Sequence, residues 1–449
     1  MLDSASISMK MGESTSDTRL CDVLIVGAGP AGCTAAYLLA EKGRDVVLLE
    51  KERHPRFHIG ESLLPRNLQL IERLGLTEDI ATFGVFKPGA EFISDDHGGK
   101  DTKFCFADAL DKTFTHSWQV KRADFDAALF RSARDKGADV IDGMRVTTIR
   151  FPEGVPEGSA RAIVEAVDEA GNAHHFAPRY VIDASGRDTF LGSKVGGKKR
   201  NPHNNTAALY AHFRHVTPRP CDRTGYITIC LVEGGWFWMI PLPDDITSVG
   251  FVGTQEAFKQ RKGSLEDFLD TRIAASPSVS SRMMQAERIS KVTATGNYSY
   301  SCERLSGPGW MMIGDAFAFL DPVFSSGVLL AMTSGEMGAE VADLWLDNPA
   351  AARKKLKKVE AKIRHAIGTL SWLVYRINKP VLRDMFMSPN NRFRMRDGLV
   401  SLLAGNVHGT LPRNPVRAFK GAYYFLTTLA KIGIRLTPDG DLKRGPRID

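Results

Sequence analysis

Apolar and polar positions over residues 22–52 follow an order that predicts a strand, a helix and a second strand. An apolar run over 23–26 is followed by a glycine turn, by an Ala- and Leu-rich segment over 31–41, and by a second apolar run that ends at Glu50. A helix between two apolar strands is typical of a βαβ unit, in which both strands are parallel members of a buried sheet.

The turn of this unit has the spacing of a nucleotide-binding loop. Gly27, Gly29 and Gly32 fit the pattern GxGxxG. The first glycine permits a tight turn, the second lets a pyrophosphate approach the backbone, and the third lets the helix pack closely on the strand. Glu50, at the end of the second strand, is placed to bind ribose hydroxyls. Strand, turn, helix and acid together predict a dinucleotide site.

Further along the chain, the pattern predicts a second kind of sheet and a helical end. The stretch 119–143 predicts another helix that leads to the strand ADVIDG at its end, and RYVIDASGR over 179–187 predicts an apolar strand that ends in a small-residue turn. Residues 195–291 are rich in Thr, Tyr, Val and Phe between Pro and Gly, which is typical of an antiparallel sheet. The stretch 310–346 predicts strand, loop and long helix, and the chain is helical and basic from 350 onward.

These patterns predict an α/β fold. It consists of a Rossmann-like dinucleotide-binding domain, an antiparallel β-sheet domain for the substrate, and a helical C-terminal region. The predicted division is a flexible leader at 1–19, the first part of the nucleotide domain at 20–195, the sheet domain at 196–300, a return to the nucleotide domain at 301–346, and the basic helical region at 347–449.

Composition predicts a soluble, cytoplasmic protein. The 449 residues are 43% apolar and 25% charged, and the longest apolar stretch, over 311–332, contains Asp315 and Asp321, so no membrane span is expected. The polar N-terminus lacks the apolar segment of a signal peptide. Six cysteines without a CxxC pair predict buried free thiols, and neither a zinc site nor a disulfide framework.

Charge is unevenly distributed along the chain. Residues 349–449 contain 21 Lys and Arg but 6 Asp and Glu, a net +15, whereas the remainder contains 38 and 46, a net −8. A solvated helical face explains such a run, and a docking surface for an acidic partner is the alternative. No basic-aromatic groove motif accompanies the charge, so no nucleic-acid partner is expected.

The stretch GGWFWMIPLPDD, over 234–245, contains two of the six tryptophans of the chain, Trp236 and Trp238. Aromatic residues at i and i+2 lie on one face of a strand. The pattern by itself therefore predicts a half-buried strand and assigns the two rings no chemical role.

The chain resembles the FAD-containing aromatic hydroxylases in three successive features. These are the glycine motif with Glu50, the DASG turn over 183–186, and the pair Gly314–Asp315. The resemblance implies that FAD is the nucleotide, that Asp315 holds its ribityl chain, and that Arg122 lies against the flavin.

Within that superfamily the chain is similar to the flavin-dependent halogenases, in particular to the branch that acts on phenols and pyrroles. WFWMIP over 236–241 matches their WxWxIP motif, and FLDPVFSSG over 319–327 matches their FxxPxxSxG motif. IGESLLP over 59–65 resembles the strap that connects their flavin and substrate regions, and FKPGAEF over 86–92 places Lys87 where they keep an essential lysine.

This resemblance implies that FADH2, O2 and chloride or bromide yield hypohalous acid at the flavin. Backbone N–H groups of Ser326 and Gly327 would bind the halide at the start of a helix, where free N–H groups and the helix dipole favour anions. Trp236 and Trp238 would form a barrier between flavin and organic substrate. Lys87 would pass the halogen to an aromatic ring, by hydrogen bonding or as a haloamine, and burial that lowers its pKa would favour this role.

One position departs from the tryptophan halogenases. Phe324 stands on the substrate side where their motif has a glutamate, which favours an intrinsically electron-rich phenol or pyrrole. Glu91 follows Lys87 by four positions, but Pro88 and Gly89 interrupt the strand between them, and we expect Glu91 at the surface. From its spacing alone, Lys87 is also typical of a surface lysine before a Pro-Gly turn.

The predicted partners follow from what the chain contains. It has no second dinucleotide motif, so reduced FAD is expected from a separate NAD(P)H flavin reductase. The small aromatic substrate is either free or tethered to a carrier protein, and an acidic carrier would complement the basic C-terminal region. Two alternatives stay open: an FAD-dependent aromatic monooxygenase or oxidoreductase that does not halogenate, and a non-catalytic flavin-binding protein that docks a partner.

Overall fold

A computed structural model of the chain describes residues 18–152, 161–201, 206–259, 261–296, 299–409 and 413–448. The predicted leader over 1–19 lies outside these ranges except for its last two residues. A strand already begins at Arg19, so the last residue assigned to the leader belongs to the fold.

The first large sheet is built on the predicted βαβ unit. Its strands are β1 (Arg19–Val26), β2 (Val46–Leu49), β7 (Asp139–Ile141), β8 (Arg145–Arg150), β9 (Ile163–Val167), β10 (Ala173–Asp183), β19 (Ser306–Gly307) and β20 (Trp310–Met312). The main order is β19-β20-β10-β1-β2-β7, with β9 and β8 attached to β10. The neighbours from β20 to β7 are parallel. This sheet has the doubly wound character that the sequence predicted.

Helices cover the sheets and form the C-terminal region. They are α1 (Pro30–Glu41), α2 (Leu68–Arg73), α3 (Thr77–Phe83), α4 (Arg122–Asp135), α5 (Phe190–Lys194), α6 (Gln255–Lys259), α7 (Leu265–Ala274), α8 (Pro277–Met283), α9 (Gly327–Asp347), α10 (Pro349–Val374), α11 (Pro380–Met387), α12 (Met395–Leu403) and α13 (Arg413–Lys431). α1 contacts both α4 and α9. Within the described ranges, no helix combines the length and the apolar character that crossing a membrane requires.

The second large sheet is mainly antiparallel. Its strands are β4 (Gly89–Ser94), β5 (Lys100–Cys105), β12 (Thr206–Arg214), β13 (Ile227–Val232), β14 (Gly235–Leu242), β15 (Ile246–Thr254), β16 (Glu287–Arg288) and β17 (Thr293–Gly296). The order is β16-β12-β15-β14-β13-β4-β5, with β17 also paired to β12. The antiparallel sheet predicted over 195–291 is present, but α6, α7 and α8 interrupt it, and the β4–β5 hairpin joins it from an earlier part of the chain.

Smaller pairings complete the fold. β3 (Gly84–Lys87) pairs with β6 (Ser117–Val120). β18 (Tyr300–Cys302) pairs with both β11 (Lys198–Arg200) and β21 (Ala318–Phe319). β22 (Ile434–Leu436) and β23 (Leu442–Arg444) form a hairpin after α13, so the predicted helical region ends in strands.

Strand β14 is buried on both faces, although the sequence predicted a half-buried strand. Trp236 and Trp238 belong to a hydrophobic cluster that includes residues of α10, α11 and α12. Phe237 and Met239 point the other way, into a cluster with residues of α7 and α8. Helices from two distant parts of the chain therefore cover the two faces of one strand.

The six cysteines are free, and four of them are buried as predicted, whereas Cys105 is partly buried and Cys221 is exposed. Burial raises the pKa of the Cys33 thiol well above its ordinary value. A thiol held in its neutral form is a poor nucleophile and a poor metal ligand.

Candidate active site

A cavity of about 570 Å³ lies between the carboxyl ends of the parallel strands and the second large sheet. This is where ligands bind in doubly wound α/β folds. Residues that follow β1, β2, β10 and β20 form one wall, and side chains of β13 and β14 form the opposite wall. The lining includes Gly27, Gly29, Glu50, Arg122, Ser185, Trp236, Trp238, Asp315, Ser326 and Gly327.

The glycine turn is shaped by close backbone contacts. Gly27 has a φ of +101°, and a Cβ there would come within 2.5 Å of the carbonyl oxygen of Ala184. A Cβ on Gly32 would collide with the carbonyl oxygen of Gly27. A Cβ on Gly29 would meet no described atom closer than 3.9 Å, because this glycine faces the cavity at the uncapped start of α1. The turn therefore presents free N–H groups of a helix N-terminus to the cavity, which fits a diphosphate.

Glu50 is held against this turn. Its Oε2 accepts a hydrogen bond from the backbone N–H of Ala28 at 2.8 Å, and its Oε1 accepts one from the N–H of Glu52 at 3.0 Å. Each carboxylate oxygen has two acceptor positions. Glu50, which is 5% exposed and lines the cavity, therefore retains acceptor capacity for a ribose hydroxyl.

Arg122 opens α4 and connects the nucleotide side of the cavity to the strap. Its Nε and Nη2 donate to Asp126 at 2.8 and 2.9 Å, and its Nη1 donates to the carbonyl oxygen of Ile59 at 3.0 Å. The predicted contact residue thus lines the cavity with a fixed guanidinium orientation.

Asp315 lines the same cavity and follows β20. Burial raises the pKa of its carboxyl to about 7, against the smaller opposing effect of the positive charges of Arg122 and Arg187. A carboxyl that exchanges its proton near neutral pH both donates and accepts hydrogen bonds. This suits a polyhydroxyl chain such as ribityl.

The start of α9 faces the same cavity. Ser325 has a φ of +54°, Ser326 is the N-cap without a side-chain cap bond, and the helix begins at Gly327. Free N–H groups at a helix start favour an anion. Phe324, just before this turn, is 4% exposed, and its ring centroid lies 6.3 Å from that of Phe386. The phenylalanine therefore points into an aromatic cluster under α11.

Two tryptophan rings form the wall opposite the nucleotide turn. Trp236 and Trp238 are 1% and 5% exposed, and their ring centroids are 6.0 Å apart at an interplanar angle of 49°. The Nε1 of Trp238 donates to the Oγ of Ser248 at 3.1 Å. The Nε1 of Trp236 is buried and has no hydrogen-bond partner among the described residues. Both rings line the cavity, as the barrier hypothesis requires.

Lys87 ends β3 and is fully buried, with 1% of its surface exposed, although its spacing was also typical of a surface lysine. Its Nζ donates to the Oγ of Ser62 and to the carbonyl oxygen of Leu63, both at 2.7 Å, and lies 5.3 Å from the ring centroid of Phe106. Burial lowers the pKa of Lys87 to about 7. In the described part of the chain, Nζ has no carboxylate within ion-pair distance.

Ser62 connects Lys87 to the cavity. Ser62 lines the cavity and its Oγ bonds to Lys87, so the Lys87 amine lies one residue behind the cavity wall. A neutral amine has two N–H donors and one lone pair. The two acceptors of Lys87 satisfy both donors and leave the lone pair unused, whereas an ammonium would have a third buried N–H to satisfy. The geometry therefore favours the neutral amine.

Glu91 is not at the surface, contrary to the expectation from its sequence. The residue is fully buried in β4, and its carboxylate forms ion pairs with Arg219, at 2.6 Å, and with Arg223. Among the described residues, Glu91 is paired with these arginines and forms no ion pair with Lys87. A buried carboxylate is stable here because two guanidinium groups compensate its lost hydration.

Sequence reasoning missed a pair of polar side chains, Glu61 and His212, of which Glu61 lines the cavity. Glu61, next to Ser62 in the strap, is 1% exposed and lines the cavity. Its Oε1 lies 2.7 Å from the Nε2 of His212 on β12, and its Oε2 has no partner among the described residues. The glutamate stands in the quoted strap motif, but only the long-range pairing of strap and sheet brings His212 to it.

The comparisons with known proteins agree with this geometry. A family model described as an FAD binding domain matches residues 20–335. The 1H-pyrrole-2-carbonyl-(peptidyl-carrier protein) brominase of Pseudoalteromonas luteoviolacea is 33% identical over 74% of this chain and 79% of its own length. The chain belongs to the flavin-dependent halogenases. Its cofactor is FAD, and its chemistry is the FAD-dependent halogenation of aromatic compounds with halide and O2.

Other relatives support the same family. The flavin-dependent halogenase ascD of Acremonium egyptiacum is 34% identical over 71% of this chain and 60% of its own length. The 1H-pyrrole-2-carbonyl-(peptidyl-carrier protein) chlorinase of Pseudomonas fluorescens is 29% identical over 86% of this chain and 89% of its own length.

Solved structures of similar proteins have the same fold. A flavoprotein/dehydrogenase from Cytophaga hutchinsonii superposes with a TM-score of 0.81 at 30% identity, over 92% of this chain and 98% of its own. The myxobacterial chondrochloren halogenase CndH superposes with a TM-score of 0.75 at 28% identity, over 91% of this chain and 98% of its own.

The cavity fits FAD on its own geometry. The glycine turn leaves room at Gly29 for a diphosphate, Glu50 offers acceptors for a ribose, and Asp315 offers a carboxyl for the ribityl chain. Arg122 and the uncapped start of α9 supply positive charge and N–H donors at the other end of the cavity.

Proposed function

We propose that this halogenase transfers an oxidised halogen to a pyrrole or phenol ring through the amine of Lys87. The observation that carries the proposal is the buried Lys87, bonded to two neutral acceptors behind the cavity wall. Bound reduced FAD, with O2 and halide, supplies hypohalous acid, and the residues of the chain direct its use.

The start of α9 binds the halide in this proposal. Ser326 and Gly327 line the cavity at a helix N-terminus without a side-chain cap. Helix N-termini bind anions through free N–H groups and the helix dipole. Gly327 supports this role because a Cβ at this position would meet no described atom within 4 Å, so the backbone is open to a ligand.

Trp236 and Trp238 keep the organic substrate out of the cavity. Their rings line the cavity from one face of β14 and pack in a hydrophobic cluster with residues of α10, α11 and α12. A small molecule such as hypohalous acid passes where an aromatic ring is excluded. Ser62 lines the cavity and bonds to Lys87, so it connects the two sides.

Lys87 then acts as a nucleophile. The lone pair of its neutral amine attacks the halogen of hypohalous acid, so that an N–X bond forms, the O–X bond breaks, and hydroxide leaves with an amine proton as water. The aromatic carbon next attacks this halogen, the C–X bond forms, the N–X bond breaks, and the ring proton restores the amine. Phe324, in place of a carboxylate, leaves only an electron-rich ring reactive enough for this step.

Replacing Lys87 by methionine tests the proposal. Purified protein is mixed with FAD, an independent flavin reductase, NADH and bromide, and products from pyrrole and phenol substrates are analysed for the bromine isotope doublet. We expect doublets with the wild type and a loss of at least about 100-fold in Lys87→Met, since the nucleophile is gone.

Lys198→Met is the matched control. Lys198 is an exposed lysine whose pKa partial desolvation also lowers, but it bonds to Thr189 and does not line the cavity. This variant should keep wild-type product levels. Undiminished halogenation in Lys87→Met, or hydroxylated product in the presence of bromide, would contradict the proposal.

We further infer that the ring arrives tethered to an acidic carrier protein. The brominase and the chlorinase are named for substrates on a peptidyl-carrier protein. Lys354, Lys357, Lys358 and Lys362 are exposed on α10, in the region with a net charge of +15. Complementary charge speeds the encounter with an acidic carrier.

Charge reversal on α10 tests the carrier hypothesis. The variant Lys357→Glu/Lys358→Glu should bind a pyrrolyl carrier protein at least about 10-fold more weakly at low salt, and the difference should shrink as salt screens the charges. Lys262→Glu, an exposed lysine beyond the second sheet, should leave binding close to that of the wild type. Salt-insensitive binding, or faster turnover of the free ring, would exclude the carrier route.

The reduced cofactor is proposed to come from a separate flavin reductase. Anaerobic mixing of the FAD-loaded protein with NADH or NADPH alone should leave the flavin absorbance oxidised, and addition of a reductase should bleach it. Direct reduction by nicotinamide would contradict this partner assignment.

A further inference from the structure

The side chain of Lys87 lies over two polar residues of β6, Ser117 and Gln119, between its own strand and Ser62. Lys87 pairs with Ser117 in the β3–β6 ladder, and Ser62 pairs with Gln119 on the other side of β6. Paired residues in an antiparallel ladder point to the same face. Because the Nζ of Lys87 reaches the Oγ of Ser62 at 2.7 Å, its side chain must pass over β6 on the face that carries Ser117 and Gln119.

These two residues carry unsatisfied polar atoms. Ser117 and Gln119 are both fully buried. The Oγ of Ser117 and the Oε1 of Gln119 have no hydrogen-bond partner among the residues that the structure describes. The other end of the Gln119 amide is bonded, because its Nε2 donates to the carbonyl oxygen of Gly225 at 3.2 Å. This bond defines the amide orientation, since turning the amide would bring two oxygens together.

An unpartnered buried acceptor is costly, and proteins rarely leave one without a reason. Here a hydroxyl and an amide oxygen lie on the same face as the reactive amine of Lys87. Neither is needed by Lys87, whose two N–H donors are taken up by Ser62 and Leu63. The neutral amine of Lys87 therefore has all its donors hydrogen-bonded. The Oγ of Ser117 and the Oε1 of Gln119, in contrast, have no partner among the described residues.

We propose that the Oε1 of Gln119, assisted by the hydroxyl of Ser117, accepts the ring N–H or O–H of the aromatic substrate and so orients the ring beside Lys87. The proposal rests on the proposed function and adds the group by which the substrate is recognised. It makes Gln119 a specificity-determining residue for rings that carry a hydrogen-bond donor.

A neutral acceptor suits this chemistry. Attack of the ring on the halogen places positive charge on the ring and on its N–H or O–H, and an acceptor aimed at that hydrogen stabilises the charge as it develops. A carboxylate in the same place would pair with Lys87, keep it protonated and remove its lone pair. An amide oxygen stabilises the ring without this effect on the amine.

The test compares probe rings that differ by one methyl group. Pyrrole carboxamide is paired with N-methylpyrrole carboxamide, and hydroxybenzamide with methoxybenzamide. Binding to the FAD-loaded protein is measured by calorimetry without reductant or halide, so no turnover is required. The wild type should bind at least one donor ring at least about 10-fold more tightly than its methylated partner.

Gln119→Met removes the acceptor at nearly constant length and should bring this ratio close to one. Asn406→Leu is the matched control, because Asn406 is another buried amide, 4% exposed, whose Oδ1 has no partner among the described residues. It lies after α12, away from β6, and should keep the wild-type ratio. Thermal unfolding and FAD titration of each variant show whether it is folded.

The possible outcomes separate the two proposals. Preference for donor rings in the wild type and in Asn406→Leu, and its loss in folded Gln119→Met, supports the inference even where no halogenated product forms. Equal binding of donor and methylated rings by the wild type overturns it, as does an unchanged preference in Gln119→Met. If Gln119→Met does not fold, Ser117→Ala must reduce the preference, and an unreduced preference overturns the proposal.

Discussion

The cofactor cavity and the Lys87 side of the wall are built in different ways. The cavity is assembled largely from backbone groups, namely the turn at Gly27 and Gly29 and the start of α9. The Lys87 side is assembled from buried side chains on strands that meet only through long-range pairing. The first region is suited to a highly charged cofactor, and the second to a neutral nucleophile.

This difference has a functional consequence. Fixed N–H groups of helix starts stabilise anions at little reorganisation cost. The same charges near Lys87 would alter its protonation, and the structure keeps them apart with Trp236, Trp238 and Ser62. In our proposal, the two tryptophans therefore separate two electrostatic environments as well as two reactants.

The largest effect is expected from adding a Cβ to the glycine turn. Gly32→Ala would drive a Cβ into the carbonyl oxygen of Gly27, and neither backbone can move without breaking the βαβ unit. We expect loss of detectable FAD binding and a loss of unfolding free energy of about 1–3 kcal/mol. Gly421→Ala in α13, where a Cβ meets no described atom within 4 Å, is the control that should leave both unchanged. Normal FAD affinity in Gly32→Ala would contradict the geometry of the turn.

The next largest effect is expected from removing one of the two tryptophan rings that line the cavity. Trp236→Ala should reduce halogenated product at least about 10-fold beyond any change in FAD affinity, because the substrate ring gains access to the cavity, and unfolding free energy should fall by about 3–5 kcal/mol. Phe237→Ala removes a buried ring from the opposite face of the same strand. If both variants lose halogenation in proportion to stability alone, the tryptophans are ordinary core residues and the barrier is refuted. FAD titration and product analysis at a temperature where both are folded separate these results.

A smaller effect is expected at the connection between the two regions. Ser62→Ala removes one of the two acceptors of Lys87 and leaves an amine N–H unpaired. We expect a decrease of about 10-fold in product formation, because the lysine is no longer held at the wall. FAD affinity, measured by fluorescence titration, should stay within about twofold, since the serine makes no part of the nucleotide turn. Full activity in this variant would show that Lys87 does not need Ser62.

The pH dependence gives the smallest and most specific effect. Burial lowers the pKa of Lys87 to about 7, so the reactive neutral amine becomes the main form above that pH. Product formation should therefore rise about 5- to 10-fold from pH 6 to pH 8 and then level off. The ordinary pKa of lysine, 10.5, applies to the unfolded chain, so the folded state binds fewer protons between pH 7 and 10.5.

The lowered pKa of Lys87 also predicts how the stability of the folded protein depends on pH. The free energy of unfolding should increase with pH across this window, and Lys87→Met should lose that slope in chemical denaturation. Product formation that falls with rising pH would show that the ammonium, not the amine, is the active form.

Much of the cofactor region could be predicted because its signals are local. Gly27, Gly29 and Gly32 stand within one turn, and Glu50 follows at the end of the next strand. The sequence pattern predicted that Trp236 and Trp238 share one face of a strand. It did not predict that α7 and α8 bury the opposite face, because those helices lie later in the chain.

The Lys87 side could be predicted only in part. The motif around Lys87 identified the lysine, but its burial depends on β6 and on Ser62, whose pairings no local pattern reveals. The expectation for Glu91 was wrong for the same reason. Its charge is compensated by Arg219 and Arg223, more than 120 positions along the chain, and no spacing in the sequence connects them.

The central claim is that the halogen passes through the amine of Lys87. A single turnover of the protein loaded with reduced FAD, with bromide and O2 but without aromatic substrate, tests it most directly when the protein is quenched and mapped by peptide mass spectrometry. We expect one bromine to replace one hydrogen in the peptide that contains Lys87, and added pyrrole or phenol to remove it as ring bromide. A bromine that never appears on Lys87, while the wild type still brominates its substrate, would contradict the account.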